Sequence, residues 1–303
     1  MNPVVALIIA NIIWGAASPV FKFALTNIPP FTLAFIRFFF AALIYFPFVL
    51  FRGYTITKKQ LFAICLGAFF SITINISFFF MGIQKTASIN APIIASSQPI
   101  FLFLLAVFFL REKFHKRVII GIIISFIGVL VITLSPLLFN HGTTMAQKEI
   151  ALEGNLFLIV ATFGAVMQTI IHKKVLKEVN HVVVTSVSFL FGAATFIPFM
   201  IPEFNKWSFS QLNSAGWTGI IFGVVFSSAI AYGLFIYGIS RIEAQEVGIF
   251  TYIDPIIAVI LAIPLLHEYP TPLFFIGSLL VFLGILLAER RVHWHPFHKI
   301  RKS

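Results

Sequence analysis

Ten apolar runs, each close to twenty residues, fill almost the entire chain, and nothing else in it restricts the fold so severely. They fall at about 4–25, 31–51, 60–81, 88–110, 117–135, 154–173, 181–202, 215–237, 243–266 and 271–289. A bilayer core is roughly 30 Å thick and takes about 20 predominantly apolar residues per helix. The sequence is therefore read as an all-α integral membrane protein with ten transmembrane helices. Soluble domains carry about 25% charged residues, against 10% here, with 59% apolar residues over 303 positions. The gaps between runs leave room for loops and no water-exposed domain. The net charge of +11 is accordingly assigned to loops and tail facing anionic lipid, not to a nucleic-acid surface. The N-terminal run lacks the basic start and cleavage site of a signal peptide and reads as a retained span.

The chain also writes one stretch twice. Shifting by 156 positions brings Gly82 onto Gly238, Pro99 onto Pro255, Leu105 onto Leu261, Glu112 onto Glu268, Gly121 onto Gly277 and Gly128 onto Gly284. A single register held for about fifty residues points to internal duplication. The copies differ in flanking charge: Arg111, Lys113, Lys116 and Arg117 stand in the first, and His267–Pro272 without Lys or Arg in the second. The loops after spans two, four, six and eight carry three, four, three and one Lys or Arg, and the tail adds five, for 16. The loops after the odd spans carry three: Lys85, Lys148 and Lys206. Under the positive-inside rule this places both termini in the cytoplasm. Five spans per half is odd, so the halves enter from opposite sides as two inverted five-helix repeats. The expected units are 1–135, a linker at 136–152, 153–291, and a basic cytoplasmic tail at 292–303.

Inverted repeats are a recurrent plan of secondary transporters, with the substrate site near mid-membrane at the repeat interface. Two similar units can exchange roles, so that inward-open and outward-open shapes use one set of contacts. The candidate substrate or coupling residues are the polar and aromatic groups within spans. Asn11 and Trp14 lie in the first, beside Gly15 and Ser18, which serve close packing equally well. Arg37 lies in the second, either facing a cavity or snorkelling to headgroups. Asn75 is in the third, Asn90 and Gln98 in the fourth, and Gln168 in the sixth. In the ninth, Glu246, Phe250 and Asp254 are spaced by four and share a face. Asp254 precedes Pro255 as Gln98 precedes Pro99. A bland alternative for Asp254 is an ion pair with Arg37 that only fixes packing. Gly121, Gly128, Gly277 and Gly284 read as flat surfaces for helix contact, and Cys65 as a buried, inert thiol. No metal site or cofactor is expected; the His-containing tail reads as a basic anchor.

Trp14-Gly15, the Arg111-Glu112-Lys113 link and the Leu266-His267-Glu268-Tyr269-Pro270-Thr271-Pro272 link together resemble the drug/metabolite transporter superfamily, EamA type. The likeness covers roughly 3–135 and 153–289, with Arg111 and His267 standing where that family commonly has Gly. It implies ten helices and export of amino acids, related metabolites or amphipathic drugs, in a plasma (bacterial inner) membrane. A lipid or lipid-linked precursor flippase and an uptake carrier are the alternatives, and proton coupling is left open. Expected partners are a small-molecule substrate and membrane lipids, with the chain a monomer or homodimer. An enzyme is not expected, because no nucleophile–base pair and no His-Glu-x-x-His spacing occurs.

Overall fold

The computed structural model describes residues 2–50, 56–98, 101, 116–139, 144–239, 241 and 248–288. These form helices and no strand. In chain order they are α1 (Pro3–Ala24), α2 (Pro30–Leu50), α3 (Lys58–Lys85), the short α4 (Asn90–Ala95) and α5 (Lys116–Phe139). There follow α6 (Met145–Val175), α7 (His181–Phe204), α8 (Ser214–Gly238), α9 (Ile253–Leu266) and α10 (Pro272–Ala288). A 3-10 turn over Gly248–Tyr252 leads into α9. Seven helices among the described residues are long and apolar enough to cross a membrane; Phe250–Leu266 and Pro272–Leu287 are apolar but shorter. This is a multi-pass, all-α membrane protein.

The helix starts are written locally. Asn2, Asn180 and Asn213 each accept a backbone N–H one or two positions into α1, α7 and α8. Thr57 with Gln60 and Thr144 with Gln147 form reciprocal capping boxes for α3 and α6. The start of α2 is capped from another helix. Glu203, near the end of α7, accepts from Phe31 N (3.1 Å), Thr32 N (2.7 Å) and Thr32 Oγ1 (2.7 Å). At the other end of the chain, α9 stops at His267, whose φ of 54° is left-handed, the backbone state that favours glycine at helix C-termini.

Helix α2 lies along α7, and α5 along α10. Helix α1 packs on α8 and α9, while α6 packs on α3 and α4. The α5–α10 seam is built on the glycines. A Cβ on Gly128 would sit 2.6 Å from the Gly277 carbonyl and 2.7 Å from Val281 N, and Ser125 Oγ donates to the Val281 carbonyl at 2.9 Å. The inner layer centres on fully buried Phe21, Phe38, Phe80, Phe189 and Phe196. Outward faces carry Phe48, Phe62, Phe126, Leu279 and Leu286, as lipid contact requires.

Two stretches inside long helices change pitch: Phe69–Ile74 in α3 and Phe222–Ile230 in α8 are π-helical. They occupy matching places in the two helices. Such interruptions are rare and often mark functional sites.

Within the expected linker at 136–152, α5 runs to Phe139 and α6 begins at Met145. His172 lies inside α6 and is buried. One expectation is revised: Cys65 is part-exposed, not buried. The links at Arg111–Lys113, Glu112, Pro99 and Glu246, and the tail histidines, fall outside the described residues.

Candidate functional site

Two of the candidate side chains, Trp14 and Arg37, meet at the π segment of α8. Widening a helix displaces its carbonyls from their usual partners, and two in this segment accept from side chains of other helices. Trp14 Nε1 donates to the Ser227 carbonyl at 3.1 Å and the Tyr45 hydroxyl to the Ala229 carbonyl at 2.7 Å. The same segment holds Arg37. Its Nε donates to Ser228 Oγ at 2.7 Å and an Nη to Ser227 Oγ at 3.0 Å. The guanidinium also stands 4.9 Å and 4.7 Å from the Phe21 and Phe38 ring centres. Arg37 is 3% exposed, so it does not snorkel. No carboxylate among the described residues pairs with it, and the Arg37–Asp254 ion pair considered above does not form.

Rings connect this cation to a cavity. Phe38 is 5.5 Å from Phe189, Phe189 is 5.3 Å from Tyr232, and Tyr232 is 5.2 Å from Trp14. Phe189 and Tyr232 line a cavity between the π segment of α3 and helices α6, α7 and α8. Its polar lining is Ser71, Gln168, His172, Thr185, Ser188 and Tyr232, with no carboxylate. The Ser188 hydroxyl is buried without a hydrogen-bond partner. His172 Nε2 lies 3.3 Å from the Ile64 carbonyl oxygen, and its ring fills the space beside Gly67. The cavity volume is only about 10 Å³, room for about one water molecule and far below the roughly 300–1,000 Å³ of typical ligand pockets. The site is closed down around its polar groups.

The α1–α9 seam forms a second polar locus. A Cβ on Gly15 would lie 2.8 Å from the Asp254 carbonyl oxygen, so Gly15 is where α9 meets α1. Asn11 is 0% exposed and donates through Nδ2 to the Leu7 carbonyl at 2.8 Å. Its Oδ1, the Ser18 hydroxyl and Asp254 Oδ1 are buried without hydrogen-bond partners among the described residues. Buried acceptors are rarely left so.

Of the residues singled out from sequence, Gln168 alone lines the cavity, while Trp14 and Arg37 stand behind its aromatic wall. Asn75 donates to the Ala161 carbonyl at 2.6 Å, tying the end of the α3 π segment to α6. Asn90 is bonded to Thr86 Oγ1 and Asn155 Oδ1, both at 3.1 Å, and Asn155 reaches the Ile132 and Thr133 carbonyls. That chain locks α4, α6 and α5 together. Gln98 and Phe250 are part-buried. The residues missed are Ser71, His172, Thr185, Ser188 and Tyr232. Gln168 and His172 are four apart on α6, and that spacing was the available signal.

A further cluster lies at one end of the bundle. Lys22 Nζ donates to Glu268 Oε1 at 2.6 Å and to the Thr86 carbonyl at 2.5 Å. Glu268 Oε2 accepts from Ser88 N at 2.7 Å and Ser88 Oγ at 2.6 Å. One carboxylate thus joins the end of α1, the α3–α4 turn and the link after α9.

The sequence profile of the EamA-like transporter family matches residues 1–134 and 152–289. The chain belongs to the EamA-like transporter family. Among its relatives, an uncharacterized transporter of Bacillus subtilis, YetK, is 29% identical over 95% of this chain and 87% of that one. A protein of Escherichia coli described as a probable amino-acid metabolite efflux pump is 24% identical, over 98% of this chain and 97% of its own length. A solved crystal structure with 15% identity superposes at a TM-score of 0.63 over 95% of this chain and 96% of that one. It shares the fold. As an EamA-like protein, the chain is a transporter by family, and its candidate site is the closed cavity with Arg37 behind it.

Proposed function

We propose that the protein is a secondary transporter that exports small organic solutes, amino acids or related metabolites foremost, by alternating access between two inverted five-helix repeats. The observation that carries this reading is the exchange pattern of the helix contacts. Swapping the halves turns α1 on α8 and α9 into α6 on α3 and α4, and leaves α2–α7 and α5–α10 unchanged. The paired π segments obey the same exchange. This partial exchange of helix contacts supports two related closed arrangements, which is what alternating access needs. The family profile's match to two separate segments and the efflux description of the Escherichia coli relative support repeat and direction. Orientation follows the Lys and Arg distribution, with both termini in the cytoplasm of the bacterial inner membrane. Monomer and homodimer are both compatible with this bundle.

The cavity is the proposed substrate site. Asp254, with an unpartnered buried oxygen against α1, is the proposed coupling group, a carboxyl that takes up and releases a proton as the α1–α9 seam opens and closes. The test loads proteoliposomes with a mixture of amino acids and asks which leave only when protein is present. Selective loss of one or more supports the reading. No movement in either direction counts against a carrier, uptake alone reverses the direction, and scrambling of labelled phospholipid instead favours the flippase. In the same assay Asp254→Asn is expected to lose the pH dependence of efflux; unaltered efflux with an unaltered pH profile removes Asp254 from coupling.

A further inference from the structure

The environment of Arg37 names the chemical class of the substrate. A guanidinium 3% exposed inside a bilayer-spanning bundle is costly unless a negative group meets it. Among the described residues it has neutral company: two serine hydroxyls, two phenylalanine rings and the Tyr232 phenol. Two serine bonds use a minority of its five donors. A permanent structural cation normally comes with a carboxylate, and none of the described residues supplies one. The cavity lining is likewise free of carboxylates, its polar groups being hydroxyls, an amide, an imidazole and a phenol. An organic cation would find no counter-charge there.

Resting on the transporter reading, we infer that the site is built for solutes carrying a carboxylate, and that Arg37 is the group that receives it. Ser227 and Ser228 hold the guanidinium in the closed form. When the aromatic wall of Phe38, Phe189 and Tyr232 parts, the substrate carboxylate takes the place of one or both serine hydroxyls. A guanidinium matches a carboxylate in a two-point fork, so the exchange gains charge and geometry together. Tyr232 and the unpartnered Ser188 hydroxyl face the remainder of the solute.

The experiment uses proteoliposomes of the full chain loaded with leucine, phenylalanine and their amides, leucinamide and phenylalaninamide, at equal concentration. The unsubstituted protein is expected to release each acid at least ten times faster than its amide. Arg37→Gln is expected to lose most acid efflux and to leave any amide efflux within about twofold, which collapses the ratio. Arg37→Lys retains the charge but not the fork and is expected to fall between them with a raised KM. Equal release of acids and amides by the unsubstituted protein overturns the inference, as does a parallel fall of both in Arg37→Gln, the signature of a bracing role alone. If none of these four compounds moves while another amino acid of the wider mixture does, that acid and its amide take their place and the same ratios decide for or against the carboxylate assignment. If nothing at all moves, the transporter reading fails.

Discussion

At the scale of single residues, the price of a polar atom in hydrocarbon made some positions legible and local geometry hid others. Asn75 was recognisable as inward-facing because leaving an amide in lipid costs several kcal/mol, whereas Arg37 was left between a cavity and the headgroups; both are bonded across helices. His172 adjoins Lys173 and Lys174 in sequence, which hides it among loop charges, whereas α6 continues past it to Val175 and buries it. His267 is the reverse case, a turn that family likeness assigns to glycine. Its φ of 54° puts a Cβ where L-residues lose about 1–2 kcal/mol. His267→Gly is therefore expected to raise the thermal midpoint of detergent-solubilised protein, with a gain of up to about 1 kcal/mol after the entropy cost of glycine. A lower midpoint would mean that the imidazole makes contacts worth more than the strain.

At the scale of elements, small residues decide which helices touch and charged clusters decide how firmly. The repeated glycines of α5 and α10 were legible as contact surfaces from their seven-residue spacing, and they face each other. With 2.6 Å between a Gly128 Cβ and the Gly277 carbonyl, Gly128→Val is expected to cost about 1–3 kcal/mol by overpacking, read as a lowered midpoint, whereas Ile123→Val on the lipid face is expected to change little. The partners of Glu268 were not legible, because they come from two other parts of the chain. Glu268→Ala removes the acceptor of the Ser88 amide and leaves the Lys22 ammonium with the Thr86 carbonyl, at a cost of about 1–3 kcal/mol. Lys22→Met combined with Glu268→Leu is expected to cost less than the two single changes added. Strict additivity in that cycle would show that the pair is not coupled. The π segments are a third feature that only the structure reveals, since neither Phe69–Ile74 nor Phe222–Ile230 contains a proline or a spacing that announces a wider turn.

At the scale of the whole molecule, the claim most exposed to test is that the halves run through the bilayer in opposite senses. In a Cys65→Ser background, Lys59→Cys is expected to react with a membrane-impermeant thiol reagent only after cells are opened. Ser210→Cys is expected to react with intact cells. Both reacting from the same side would contradict the inverted arrangement, and with it the relation between the two closed forms. The hydrophobic length of each run, the bias of Lys and Arg between loops, and the repeat at a shift of 156 depend on local composition alone. The sequence therefore determined by itself that this is a helical membrane protein, and its apolar lengths and loop charges led to the threading proposed for it. Which helices pack, which side chains share a cavity, and that Arg37 has serines instead of Asp254 for company were decided by the tertiary structure. Those facts depend on the rotation of each helix about its axis, and that rotation is set jointly by contacts between segments far apart in the chain.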